Sequence, residues 1–147
     1  MGGKGLIELK RVPLWVGPFN DVLDDMRRKP FAWGDNDCGP AFAGRIVHVL
    51  TGVDFSAPYQ GRYHDAVSAY RLMRDEGFDD LADLVATKVP EYAHPSEAHV
   101  GDIMTLPVDT PFRHALGVLN GERIFALTEN GIGSVDRRIA DRAFKVG

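Results

Sequence analysis

The apolar residues of this chain change period near residue 100. Before Val100 they recur at three- and four-residue spacing, the mark of helices with one buried face, and after it they fall in short β-rich runs divided by turn residues. Helices first and strands second exclude an alternating parallel α/β layout and predict an α+β domain, with N-terminal helices packed on a C-terminal antiparallel sheet. A first helix is expected from Asn20 as its cap, with Asp21, Asp24 and Asp25 early, Arg27, Arg28 and Lys29 late, and Pro30 as its stop. A second opens at Cys38 with Pro40 in its first turn, carries Phe42, Ile46, Val49 and Leu50 on one stripe, and ends at Gly52. A third places Ala66, Val67, Tyr70 and Met73 inward and stops at Gly77; a fourth, shorter one covers Leu81 to Val85. Pro90 and Pro95 mark a crossing loop. Strands are expected at Ile103–Leu106, Ala115–Leu119, Arg123–Leu127 and Phe144–Val146, and Asn120-Gly121 between two of them reads as a hairpin turn.

At 147 residues and 44% hydrophobic composition, residues 1–147 suit one compact domain with a real core. The single cysteine allows no internal disulfide, so the fold must stand on packing. No stretch has the length or apolarity of a signal peptide or a membrane span, and Leu6 stands where a myristoylation signal needs Ser or Thr. A net charge of −4 removes the electrostatic term that drives nucleic-acid binding, so no nucleic-acid partner is expected. Charge is uneven all the same: Asp75, Glu76, Asp79, Asp80 and Asp83 crowd one region, and Arg137, Arg138, Arg142 and Lys145 crowd the C-terminal end. Opposed patches of this kind are either solvated faces or contact surfaces for a partner.

Cys38 stands where a glycine-bearing turn, Pro30 to Asp37, meets the second helix. Unpaired N–H groups at a helix start favour a thiolate, the form that attacks carbonyls, whereas a free cysteine on a helix is otherwise a small buried hydrophobe. His114 opens a strand in the second half and is the candidate base. His94 and His99, with Glu97 and Asp102, lack the spacing of a metal site, so no metal or other cofactor is expected. His48 and His64 read as surface or packing residues, and Trp15, Phe19, Phe31, Trp33 and Tyr63 as core and loop anchors.

Three segments taken in order resemble the NlpC-type cysteine peptidases of the papain-like superfamily: Pro30 to Gly34 followed by Asp37-Cys38, then Gly101-Asp102-Ile103, then His114 to Gly121. The likeness covers about residues 30–135. A closer resemblance is to small domain families of unknown function in tailed phages and prophages, carried by Trp33…Asn36-Asp37-Cys38, Thr51 to Asp54, Gly61-Arg62-Tyr63 and the C-terminal Phe144-Lys145-Val146. The resemblance implies a papain-like fold, Cys38 as nucleophile, His114 as base, the Cys38 backbone N–H in an oxyanion hole, and peptidoglycan stem peptides as substrate. It also implies a virion setting: a protein assembled in the host cytoplasm and built into a phage tail tip beside hub subunits.

The pattern departs from the family at several positions. Aligning Gly117 with the family glycine puts the histidine position on Ala115, so His114 is expected on the sheet face away from Cys38 unless a bulge intervenes. The position that orients the histidine falls on Phe125, and a helper tyrosine is Phe31; Thr128, Glu129 and Asn130 are the nearby polar substitutes. These losses favour a catalytically degenerate domain with a structural or docking role in the tail hub over an active hydrolase. The Gln60-Gly61-Arg62-Tyr63 loop and the Arg137-Arg138 end are the candidate contact sites.

Overall fold

The computed structural model describes residues 8–34, 36–128 and 131–147. Helix α1 spans Val16–Arg28 and buries Phe19, Val22, Leu23 and Met26, a stripe at helical spacing. It starts a turn before Asn20, because Pro18 is tolerated in a first turn and Phe19 already belongs to the buried stripe. Asn20 is therefore an exposed residue inside the helix, and the end before Pro30 is as expected. Cys38–Ala43 forms a widened helical turn that runs into α2, Gly44–Thr51, and Gly52 closes α2 in the left-handed conformation at φ 81°. Along α2, Val47 takes the buried place expected of Val49. Helix α3, Ala66–Asp75, is capped by Asp65 and buries Leu72 and Met73, while Val67 is 65% exposed and faces outward against expectation. Helix α4, Leu81–Ala86, is capped by Asp80.

The second half is one antiparallel sheet of order β4-β3-β2-β1-β5, with β1 Ile103–Pro107, β2 His114–Asn120, β3 Arg123–Thr128, β4 Gly131–Asp136 and β5 Arg142–Phe144. Strand β4 has no counterpart in the sequence reading: Gly131 and Gly133 weaken its pattern, and pairing along β3 holds it in place. The β2–β3 hairpin pairs Asn120 with Arg123, so its central residues are Gly121-Glu122 and not Asn120-Gly121. Only the first of these, at φ 73°, has positive φ, which is the arrangement of a glycine-first two-residue turn. The C-terminal strand ends at Phe144, and Val146 leaves the ladder to pack in the core.

The sheet has a helix side and an outer side. Ile103, Leu116, Val118, Leu127 and Phe144 meet α1 and α2 in the main core, whereas Met104, Leu119, Ile124 and Ala126 pack on the other side under the loop bearing Tyr92 and Ala98. Gly117 is needed where β2 and β3 meet, since a Cβ there would lie 2.5 Å from Ile124 Cγ2. Among the described residues no helix is long and apolar enough to cross a membrane.

Asp102, at the start of β1 and 1% exposed, ties three distant parts of the chain together. Its oxygens accept from Arg11 Nη2 at 3.2 Å, Tyr92 Oη at 2.7 Å, and the backbone N–H groups of His99 at 2.8 Å and Val146 at 2.9 Å. Arg11 also donates to the Val146 carbonyl at 2.8 Å and lies over the Trp15 ring. Removing a carboxylate with this many buried donors strands all of them. Asp102→Ala is expected to cost about 3–5 kcal/mol in urea denaturation, the range for breaking a buried ion pair. A loss under about 1 kcal/mol, the range of an exposed pair, would refute the fastening role.

Candidate functional site at Cys38 and His114

The loop before Cys38 is built around two buried polar side chains, Asn36 and Asp37, each 1% exposed. The Ala32 and Asn36 backbones exchange hydrogen bonds, and Asn36 Nδ2 donates to the carbonyls of Lys29 and Pro30, which folds the loop back on the end of α1. Asp37 caps the next turn in extended conformation: Oδ1 accepts from the Gly39 N–H at 3.0 Å and the Ala41 N–H at 3.3 Å. Its Oδ2 accepts from the Gly34 N–H at 2.9 Å and the Tyr63 hydroxyl at 2.5 Å. Gly34 has φ 86° and would place a Cβ 2.5 Å from the Tyr63 carbonyl oxygen, so only glycine allows the two loops to meet. Tyr63 is thus buried and committed to Asp37, not presented on the surface as the contact-site expectation required.

Cys38 opens the helical segment as expected, followed at once by a kink at Gly39 (φ −87°, ψ −115°). The thiolate expected of a helix start is not favoured here. Burial pushes the Cys38 thiol up to about 11, the Asp37 charge adds to that, and the backbone hydrogen bonds from Leu116 and Cys38 itself oppose it without prevailing.

His114 lies on the helix side of the sheet, contrary to the expectation from the Gly117 alignment. The β1–β2 register is continuous from Ile103↔Val118 to Pro107↔His114 with no bulge, and Leu116 and Val118, which share the parity of His114, pack in the main core. The ring is occupied by other partners. Nδ1 lies 2.7 Å from Asp80 Oδ1 and Nε2 lies 2.6 Å from Asp141 Oδ2. Asp80 Oδ1 also accepts from the Ala82 N–H of α4, and Asp141 Oδ1 accepts from the Thr105 hydroxyl of β1. A carboxylate at each nitrogen favours the doubly donating imidazolium, a form with no lone pair for a thiol proton. Burial by itself would lower the His114 pKa, but the bonds to Asp141 and Asp80 and their charges outweigh it and raise the value above the ordinary range. Asp141 shows the converse: burial would raise it, and the bonds from His114 and Thr105 hold it below the usual carboxylate value.

Cys38 and His114 line one cavity of about 300 Å³, together with aromatic and aliphatic side chains from the Phe31–Trp33 loop, α3, α4 and the loop before β2. Phe125, on β3, pairs with Val118 of β2, four residues along the strand from His114, and the Arg27 guanidinium lies 5.4 Å above its ring. Asp80 and Asp141 hold the imidazole instead. In the sequence Asp80 is one of an acidic run and Asp141 carries no signal of its own, because neither is near His114 along the chain. Phe31 sits edge-on to Trp33, and Glu129 and Asn130 lie outside the described residues. Of the remaining histidines, His94 caps a short turn through Ser96, the His99 ring stands edge-on to Tyr92, and His48 and His64 are exposed. The four carboxylate and histidine candidates His94, Glu97, His99 and Asp102 are not gathered: Asp102 is spent on Arg11, Tyr92 and backbone donors.

A family model covers residues 10–146 of the chain, the whole of the helical layer and the sheet. The chain belongs to the family described as Domain of unknown function (DUF6950). No curated protein and no solved structure matches it. Family membership covers both Cys38 and His114 but assigns neither a role.

The clamp on His114 makes stability depend on pH in a stated direction. A raised folded-state pKa gives stabilisation that is complete below the unfolded value of about 6.5 and is lost as pH rises through the folded value. The depressed Asp141 contributes above its unfolded value of about 3.9 and is lost as pH falls through its folded value. Unfolding free energy of the wild type is expected to decline from about pH 6.5 upward, and His114→Gln, which cannot charge, to flatten that decline. Denaturant titrations across this range check it, and parallel curves for the two proteins would rule the clamp out.

Proposed function

We propose that this DUF6950 chain is a papain-like domain of NlpC type that works as a non-hydrolytic component of a phage tail tip, docked on hub subunits. The observation that carries the loss of hydrolysis is the His114 ring, held at both nitrogens by Asp80 and Asp141. A cysteine peptidase needs a neutral imidazole to take the thiol proton, and it needs a thiol that ionises near neutral pH. Here the imidazole is an acid with two carboxylate partners, and the thiol is pushed up to about 11, chiefly by burial. The α+β order, with Cys38 at the start of a helical segment against β2, supports the papain-like reading. The tail-tip setting rests on the resemblance of the Trp33…Asn36-Asp37-Cys38 and Gly61-Arg62-Tyr63 segments to phage and prophage domains.

Contact with hub subunits would use the surface left free by the intramolecular pairing. Arg142 is not free: it bridges Asp83 and Glu91 at 2.7 and 2.9 Å, so the acidic and basic runs partly meet within the molecule. Arg137 donates to the Ser96 and Ala98 carbonyls, while the Arg138 side chain is 88% exposed and bridges Asp136. Of the two expected contact sites, Arg62 and Arg138 are the arginines left exposed to a partner.

A second reading, a cysteine hydrolase of peptidoglycan stem peptides, is favoured by one fact: Cys38 and His114 face the same cavity. It requires the imidazole to leave Asp80 or Asp141. Purified protein incubated with peptidoglycan and with stem peptides should release no more product than Cys38→Ala, and iodoacetamide should label Cys38 slowly at neutral pH with no change in His114→Ala. Cleavage abolished by Cys38→Ala, or a low thiol pKa that rises in His114→Ala, would establish the hydrolase instead.

A further inference from the structure

We infer that the cavity beside Cys38 is a binding site for an uncharged aromatic group. The inference goes beyond the non-hydrolytic reading and does not depend on it, because it concerns what the cavity walls can solvate.

The ionisable side chains Asp37, His114, Tyr59 and Tyr63 in the wall already have partners inside the protein. Asp37 accepts from Gly34, Gly39, Ala41 and Tyr63, and His114 is held by Asp80 and Asp141. Tyr63 donates to Asp37, Tyr59 donates to Glu76 at 2.9 Å, and the Thr110 hydroxyl oxygen accepts from the Phe112 N–H. Among the described residues no lysine or arginine lines the space, and the His114 ring is already committed to two carboxylates, so a ligand carboxylate would lose its hydration without gaining a free counter-charge. Stem peptides, with their free carboxylates, are poor occupants for that reason.

The rest of the wall selects for a ring. Trp33 and Phe112 stack at 5.8 Å with 19° between their planes, Phe31 stands edge-on to Trp33 at 5.2 Å, and Tyr70, outside the lining, stands edge-on to Phe112. Leu72 and Met73 of α3 and the Cys38 sulfur are among the residues that complete the wall, and thioether and thiol sulfur both make favourable contacts with ring edges. An aromatic guest extends an edge-to-face cluster that already exists. The space suffices: apolar voids of about 150 Å³ admit benzene, and this one measures about 300 Å³.

The test uses the full chain and free indole, followed by titration calorimetry and by amide chemical shifts. Indole should bind saturably at one site, and indole-3-acetate at least about tenfold more weakly, since a factor of ten is only about 1.4 kcal/mol and an unpaired buried carboxylate costs more. Ala69→Phe places a ring in the cavity from α3 and should abolish binding; Phe112→Ala removes the stacked partner and should weaken it at least about tenfold, each variant first checked for a wild-type melting curve. Phe112→Ala is the independent variant if Ala69→Phe does not fold. A capped Gly-Trp-Gly peptide separates the sources: binding equal to indole identifies the side chain of a partner protein, and exclusion of the peptide with retention of indole identifies a free small molecule, both upholding the site. Absence of saturable indole binding, equal affinity for indole and its acetate, or unchanged affinity in both variants would overturn it.

Discussion

The site hangs on the Asp37 carboxylate. A charge that is 1% exposed is tolerated only because four donors converge on it, three backbone N–H groups and the Tyr63 hydroxyl. Those donors come from the turn at Gly34, from the segment that begins at Cys38 and from the loop before α3. One side chain therefore fixes where the helical segment starts, seats Cys38 against β2, and draws the Tyr63 loop over the cavity. The same charge also sits beside the thiol, where it opposes ionisation and reinforces the effect of burial. The residue that positions the cysteine thus acts against its use as a nucleophile.

The other end of the cavity is held by ions of opposite arrangement. There a cation, the His114 imidazolium, lies between two carboxylates that belong to α4 and to the approach to β5. A few residues away Arg142 lies between Asp83 and Glu91. Helix α4 is only six residues long, so these two cation-centred bridges, together with its buried Ala82, Leu84 and Val85, fasten it to the sheet where propensity alone would not. The cost is chemical: an imidazole used as a fastener has no lone pair left for catalysis.

Sequence and structure agree where the cause is local. The helical and strand halves, the stop before Pro30, the left-handed Gly52 cap and the start of the helical segment at Cys38 follow from residue spacing and from the conformational limits of proline and glycine. They diverge where a local signal competes with a non-local one. Asn20 is a good cap, but the buried stripe beginning at Phe19 starts α1 earlier; Asn120-Gly121 is a good turn, but cross-strand pairing sets the hairpin one residue later. Strand β4 escapes notice because its glycines erase the alternation and its partner β3 supplies the order.

The residues of the site were nameable from the chain, and their relationship was not. Cys38 and His114 stand out by residue type and by position at element starts, and both do face one cavity. Which face His114 takes, and which groups hold its nitrogens, depends on the β1–β2 register and on Asp80 and Asp141, 34 and 27 residues away in sequence. Sequence determined the elements whose causes lie within a few residues of each other, β4 excepted. Only tertiary structure decided the charge states around Cys38, because burial and the approach of distant carboxylates set them.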